Sequence, residues 1–252
     1  ALSGSMQGAS LPGSQKNTMA SVSTPLYDER VGLGASIVYE KYGVTSITGL
    51  YGAYAYKLIS RNRNSYTDWG FYPRNFSLGL LAGVTIYEED LTQLASNNDP
   101  NFAANVKETV PGFGFGIYYS KNRFSIGLSA PQLINARTTD ENLNLSRHYF
   151  LNSGLKLPLD ADSWIFNPRI LIKYVNGAPL QADLIATASH KSNLELSIGY
   201  RSHASILTSF GMNLTKNMKA LVYWDYLVST ENRSLSDTYG LQLWYRLGEG
   251  YH

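Results

Sequence analysis

The feature that most restricts the fold of this chain is an alternation of apolar with small or polar residues along almost its whole length. In one such segment Leu194, Leu196, Ile198 and Tyr200 occupy one parity, and polar or small residues occupy the other. Successive side chains of an extended strand point to opposite faces. The pattern therefore predicts β-strands with one apolar face, and no segment shows helical periodicity.

Segments of this kind recur with short interruptions, and each is near the roughly 9–11 residues that a tilted strand needs to cross a bilayer. The predicted strands are 1–8, 16–26, 31–41, 44–58, 76–88, 111–121, 123–131, 147–157, 163–174, 179–189, 193–202, 205–214, 218–228 and 236–247. We therefore predict an all-β fold, a transmembrane antiparallel β-barrel. It has about fourteen strands (twelve to fourteen fit the pattern) and forms a single domain over residues 1–252.

Composition separates a membrane barrel from a soluble β-sandwich. A sandwich exposes its polar parity to water and enriches it in Lys, Glu and Asp, whereas only 16% of this chain is charged and its polar parity is mostly Gly, Ser, Thr, Asn, Gln and Tyr. Aromatic residues collect near strand ends, where a membrane barrel carries its girdles. Examples are Tyr54, Tyr56, Tyr174, Trp224 and Tyr226. No apolar run approaches the roughly 18 residues of a transmembrane helix.

The few charges inside strands share the inward parity. Lys173, Asp183 and Arg201 lie on three successive strands, where they are expected to neutralise one another. The predicted charge network of the lumen comprises Arg169, Lys173, Asp183, Glu195, Arg201, Lys219, Asp225 and Arg246.

The connections suggest where partners bind. With both termini in the periplasm, 89–110 and 132–146 become outer loops. The inner connection 59–75 is unusually long, basic and aromatic for a periplasmic turn. Four of its residues are predicted to contact a partner: Arg61, Arg63, Trp69 and Arg74.

Catalysis and metal binding have little support in the sequence. The chain has no Cys and four His, and only His148, with Ser153 nearby, offers material for a lipid-acting enzyme. A hydrogen-bonded His at the barrel rim is the simpler interpretation. The acidic run Glu88, Glu89, Asp90 does not match the spacing of a calcium loop. We therefore expect no enzyme activity, no cofactor and no metal. With a net charge of +2 and scattered Lys and Arg, nucleic acid is not an expected partner.

Six segments, in order along the chain, resemble the PorP/SprF family of the type IX secretion system of Bacteroidota. They are Ser23-Thr24-Pro25-Leu26, Val31-Gly32-Leu33-Gly34, the Gly-rich segment 112–119, Arg147-His148-Tyr149-Phe150, the segment 172–183 that contains Asn176-Gly177-Ala178-Pro179-Leu180-Gln181, and Gly199-Tyr200-Arg201-Ser202.

The resemblance implies a protein of the bacterial outer membrane that serves secretion or gliding motility. It implies three partners besides lipid: a secreted cargo's C-terminal domain, a surface adhesin, and the periplasmic ring proteins of the machinery. It carries no catalytic residues. From the residues alone, a diffusion channel for small solutes is the alternative function.

Overall fold

The strands close on themselves into one antiparallel barrel in a computed structural model of the chain. The structure describes residues 1–8, 13–27, 30–60, 72–94, 105–133, 147–159, 163–191, 193–202, 205–228 and 237–247. In chain order the strands are β1 (Leu2–Gln7), β2 (Gln15–Leu26), β3 (Val31–Tyr42), β4 (Thr45–Ser60), β5 (Tyr72–Glu89), β6 (Val106–Asn122), β7 (Phe124–Ala130), β8 (His148–Leu155), β9 (Leu157–Leu159), β10 (Trp164–Val175), β11 (Gln181–His190), β12 (Leu194–Arg201), β13 (Ser205–Thr215), β14 (Met218–Leu227) and β15 (Thr238–Tyr245).

Each strand pairs with its neighbours along the chain, and the first strand pairs with the last. Leu2 of β1 lies opposite Leu243 of β15, and Gln7 lies opposite Thr238. Because β8 and β9 both pair with β10 and are separated only by Lys156, they form one interrupted span. The fifteen strands thus make fourteen spans, which confirms the predicted fold class. In the described residues no helix is long and apolar enough to cross a membrane.

The exposure of the side chains is inverted relative to a water-soluble protein. Among the described residues the buried hydrophobic side chains are Val110, Ala130 and Ile165. Large hydrophobic residues are exposed instead, such as Ile198 at 62% and Leu184 at 53%. The buried polar or charged residues are Thr45, Thr85, Ser120, Ser125, Asp183, Thr187 and Ser205. The apolar parity therefore faces outward and the polar parity faces the lumen, as expected when lipid surrounds the barrel.

Three neighbouring strands are longer than the sequence predicts. We expected strands at 44–58, 76–88 and 111–121, whereas β4, β5 and β6 have 16, 18 and 17 residues. The added strand ends contain a proline and charged residues, such as Pro73 and Glu108, and therefore resemble loop sequence, yet Glu108 pairs with Tyr87 inside the ladder. At about 3.3 Å per residue these strands exceed the bilayer core, so their polar ends extend beyond it.

The extension of these strands shortens the predicted loops. The described part of the connection after β5 contains a 3-10 turn, Leu91–Leu94, and β6 begins at Val106. Residues 95–104 and 134–146 lie outside the described residues. The connection predicted at 59–75 shrinks to 61–71, which is also outside them.

The two ends of the barrel are distinguished by the chain. We call the end where β1 begins and β15 ends the terminal end. The opposite end, where β5 connects to β6 and β14 to β15, is called the loop end.

The outward parity can be tested by placing a charge on it. Replacing Ile198, near the middle of β12, by Arg should cost about 2–4 kcal/mol of folding free energy in a bilayer, because a guanidinium at mid-depth loses its hydration. Leu247→Arg is the matched control. It lies beyond the end of β15 at 82% exposure and should cost about 0–1 kcal/mol. Urea titration in phospholipid vesicles measures both, and equal costs would contradict the assignment of the lipid-facing side.

Candidate functional site: the charged wall of the lumen

Charged side chains collect on one wall of the lumen, on β10 to β14. Near the loop end an upper cluster consists of Lys173, Asp183, Arg201 and Asp225. Lys173 Nζ lies 3.1 Å from Asp183 Oδ2, and Arg201 Nε lies 3.1 Å from Asp183 Oδ1. Arg201 Nη1 lies 2.6 Å from Asp225 Oδ2. Two cations and two carboxylates thus form a neutral chain across four strands.

The register of the sheet explains this geometry. Asp183 on β11 lies directly opposite Arg201 on β12. Arg201 in turn lies opposite Ser205 of β13, which is 1% exposed. Because serine is small, the guanidinium passes over β13 and reaches Asp225 on β14. A larger residue at 205 would occupy that path.

Asp183 is the centre of the upper cluster. Its side chain is only 3% exposed, and a buried carboxylate is costly unless it is paired and hydrogen-bonded. Besides the two cations, Gln181 Nε2 donates a hydrogen bond of 2.9 Å to Asp183 Oδ1. This fixed set of donors holds three strands in one register.

A second ion pair, the lower cluster, lies on the same wall near the terminal end. Lys219 Nζ lies 2.7 Å from Glu195 Oε2 and 5.6 Å from the centre of the Trp244 ring. Between the two clusters Arg169 Nη2 donates to Thr187 Oγ1 at 3.1 Å, and Thr187 and Ser197 share a hydrogen bond of 3.0 Å. Arg169 remains exposed within the lumen, so it offers a cation to whatever occupies this space.

The middle of the wall formed by β4 to β6 carries no charged side chain, and the charged residues on its inward parity are Lys57 near the terminal end and Glu89 and Glu108 near the loop end. Tyr51 is hydrogen-bonded to Thr85, with 2.7 Å between their hydroxyl oxygens, and its ring lies over Gly83. A Cβ at Gly83 would overlap the backbone oxygen of Leu50 and the Tyr51 ring, so this position requires glycine. The lumen therefore has one charged wall and one wall whose middle is rich in Gly, Tyr and Thr. It is suited to holding polar chain segments or ions.

The structure separates the predicted site residues into three groups. Seven of the eight predicted lumen residues lie on the charged wall. Arg246 does not, because it follows the end of β15 and is exposed. Its backbone carbonyl oxygen accepts a hydrogen bond of 3.2 Å from Asn217 Nδ2. Arg74 belongs to β5, where it is exposed, and not to a loop. Arg61, Arg63 and Trp69 lie outside the described residues.

Sequence reasoning missed the polar partners of the charged wall. Gln181, Thr187 and Ser197 share the inward parity of the charged residues, and this parity was the available signal.

Two of the four histidines lie at strand ends. His148 begins β8, with its ring 6.3 Å from that of Phe150, and His190 ends β11 beside Trp164. No group of three potential metal ligands occurs among the described residues.

Removing the central carboxylate should destabilise the barrel strongly. Asp183→Ala leaves Lys173 and Arg201 without their shared partner, and breaking a buried ion pair costs about 3–5 kcal/mol. Glu88→Ala is the control, because the Glu88–Lys107 pair is 2.6 Å long but lies on the surface, with side chains 47% and 69% exposed. It should cost about 0–1 kcal/mol. Unfolding in vesicles compares the two variants, and an equal, small loss would show that the upper cluster contributes no stability.

The chain resembles solved barrel structures at low sequence identity. No curated protein matches the chain by sequence. Among solved structures, BamA from Haemophilus ducreyi lacking POTRA domains 1–3 shares 9% identity at a TM-score of 0.46, covering 97% of this chain and 70% of that one. A triple mutant of the Rhodopseudomonas blastica porin shares 10% sequence identity at a TM-score of 0.36, covering 97% of this chain and 99% of the porin. Salmonella typhi OmpF in complex with daunomycin shares 11% sequence identity at a TM-score of 0.37, covering 97% of this chain and 96% of OmpF.

The family comparison is decisive. A family model described as the type IX secretion system membrane protein PorP/SprF matches residues 2–245, which is nearly the whole barrel. A closed barrel with an apolar exterior is the architecture of outer-membrane proteins. This chain therefore belongs to the PorP/SprF family of type IX secretion system membrane proteins and resides in the bacterial outer membrane.

Proposed function

We propose that the chain is the outer-membrane barrel that joins the type IX secretion or gliding machinery to the cell surface. In this proposal the terminal end faces the periplasm and anchors the ring proteins. The loop end holds a secreted cargo or adhesin at the surface.

The observation that carries this proposal is the unequal charge of the two ends. Among the described residues, the loop end has six Lys and Arg against eight Asp and Glu, whereas the terminal end has ten against one, Glu195. Lys219 pairs with that one glutamate inside the lumen. The remaining nine form a basic rim, which consists of Arg30, Lys57, Arg74, Lys121, Arg123, Lys156, Lys191, Lys216 and Arg246. The segments that connect strands at this end add Arg61 and Arg63 against Asp28, Glu29, Asp68, Asp160 and Asp162 in the sequence. With the connecting segments included, the terminal end has 12 basic residues against six acidic ones, and the loop end has eight against 12.

An end with an excess of one charge favours a partner of the opposite charge. Charge complementarity steers association and fixes orientation, so the basic rim suits an acidic surface on a periplasmic partner. Arg30 and Lys216 belong to turns between strands and Arg74 to the first residues of β5, and all three are exposed. They lie where a protein below the membrane would make contact.

Reversing charge at the rim should release the partner. We expect Arg30→Glu, Arg74→Glu and Lys216→Glu together to lower the recovery of periplasmic ring proteins with the barrel at least tenfold, since three unlike pairs become like pairs. The measurement is affinity purification from native outer membranes followed by mass spectrometry. The control variant, Arg30→Lys, Arg74→Lys and Lys216→Arg, retains the charge and should retain the partner.

A second arm addresses the cargo. Deletion of the gene should remove the cargo or adhesin from the surface, and the wild-type gene should restore it. Surface attachment that persists without the gene, or recovery of ring proteins that is unaffected by charge reversal, would contradict the corresponding half of the proposal.

A diffusion channel for small solutes is the second candidate, favoured by the fourteen spans. Barrels of about 8 strands are filled by side chains and those of about 16–18 contain an aqueous channel, so fourteen lies between these classes. Conductance in planar bilayers decides this. A large, steady open current would favour the channel, and a closed barrel would favour the protein-binding role.

A further inference from the structure

The outer wall of the barrel carries a feature that lies outside the lumen and away from the basic rim. Two lysines on the outward parity face each other across neighbouring strands at the loop end. Lys16 of β2 lies directly opposite Lys41 of β3, and both are exposed. Like charges directly opposite each other on a sheet are destabilising. A pair in this position therefore favours an anion between the two ammonium groups.

Neither lysine is neutralised by a carboxylate of the described residues. No ion pair joins Lys16 or Lys41 to such a group, and the connection 8–14 beside them contains no acidic residue in its sequence. Lys41 shares a cleft with Glu88, Glu89 and Asp90, but it forms no ion pair with any of the three, and Glu88 is paired with Lys107 at 2.6 Å. The two lysines thus form a positive site on the outside of the barrel.

An apolar groove begins at Lys16. It has a volume of about 720 Å³ and runs over β13, β14, β15, β1 and β2, where Lys16, Met6, Gly4, Leu241, Tyr239 and Trp224 are among its lining residues. Leu241, Tyr239 and Trp224 are 45–50% exposed, so the groove lies on the lipid-facing wall. Its volume falls within the roughly 300–1,000 Å³ of sites that bind small molecules.

Aromatic residues indicate the depth of the groove in the membrane. The register places Lys16, Met6, Tyr239 and Trp224 in one row around the barrel. The rings of Trp224 and Tyr239 are stacked, with 5.7 Å between their centres, and Trp224 Nε1 donates to Asp237 Oδ2 at 3.1 Å. Trp and Tyr rings with one polar contact are typical of the headgroup level. Lys16 therefore lies where lipid phosphates lie.

We propose that this wall binds one phosphate-bearing anionic lipid. Its headgroup lies between the ammonium groups of Lys16 and Lys41, and the upper part of an acyl chain fills the groove beside Gly4. Gly4 has no side chain on the lipid-facing parity, and an added Cβ there would meet only the Asn17 backbone oxygen at 4.0 Å. This open position is what admits the chain.

The test uses the purified full-length barrel in detergent and two lipid probes, phosphatidylglycerol and phosphatidylcholine. Native mass spectrometry measures the preference for the anionic lipid. Each basic residue near a membrane surface contributes about 1 kcal/mol to anionic lipid binding, so Lys16→Gln with Lys41→Gln should lower the preference about thirtyfold. The control is Lys121→Gln with Lys216→Gln, which removes two exposed lysines at the opposite end of the barrel. It should leave the lipid preference unchanged, because the purified protein contains no periplasmic partner.

A second variant tests the groove apart from the charge. Gly4→Leu fills the groove while both lysines remain, so it should weaken binding of phosphatidylglycerol, and inorganic phosphate should compete poorly in the wild type. Heat-modifiable migration on gels verifies that every variant is folded. A preference that survives loss of both lysines, or that falls equally in the control, would overturn the site. Unchanged binding in Gly4→Leu would overturn the groove as the place of the acyl chain.

Discussion

Closure of the backbone hydrogen-bond ladder is the constraint from which the rest of this structure follows. In hydrocarbon an unpaired N–H or C=O has no water to bond, so a sheet in lipid cannot retain a free edge. The pairing of β1 with β15 removes both edges at once. Once the sheet is closed, its two faces lie in different solvents, and every residue is assigned to lipid or lumen by parity alone. The exposed Ile198 and the buried Asp183 are consequences of the same closure.

The sequence predicts those features of the structure that the alternation of side chains along a strand determines. Alternation was sufficient to predict the fold class and the inward position of Asp183 and Arg201. It did not predict strand ends, because a strand that leaves the bilayer no longer alternates between lipid and lumen. Alternation therefore places Arg74 and Glu108 in connections, although both belong to strands. The prediction that Arg246 faces the lumen differs from the structure for the opposite reason. Its parity is inward, but the strand ends at Tyr245. The passage of Arg201 over Ser205 to Asp225 depends on strand register, which single-strand patterns do not contain.

The charges in this barrel serve different purposes in different places. On the lumen wall they are paired, apart from Arg169, and the upper cluster is neutral, because Asp183 is buried and an unpaired buried charge is costly. On the terminal end basic residues exceed acidic ones and most of them are exposed, where water screens their repulsion at little cost. Stability explains the first arrangement but not the second, since an excess of like charge on one rim weakens the fold slightly. A rim of this kind is better explained by what it attracts.

The lipid-facing wall fixes the position of both ends. Apolar side chains hold the barrel at one depth, and the row of Trp224, Tyr239 and Lys16 marks one boundary of that depth. With the depth fixed, the terminal end projects from one side of the membrane and the loop end from the other, and neither can tilt into the bilayer without burying charge. A rigid body held in this way can transmit a partner's position on one side to a partner on the other without changing shape. The rigidity and the fixed depth follow from closure of the sheet, the aromatic boundary and the charged ends together. They do not depend on the lumen being open.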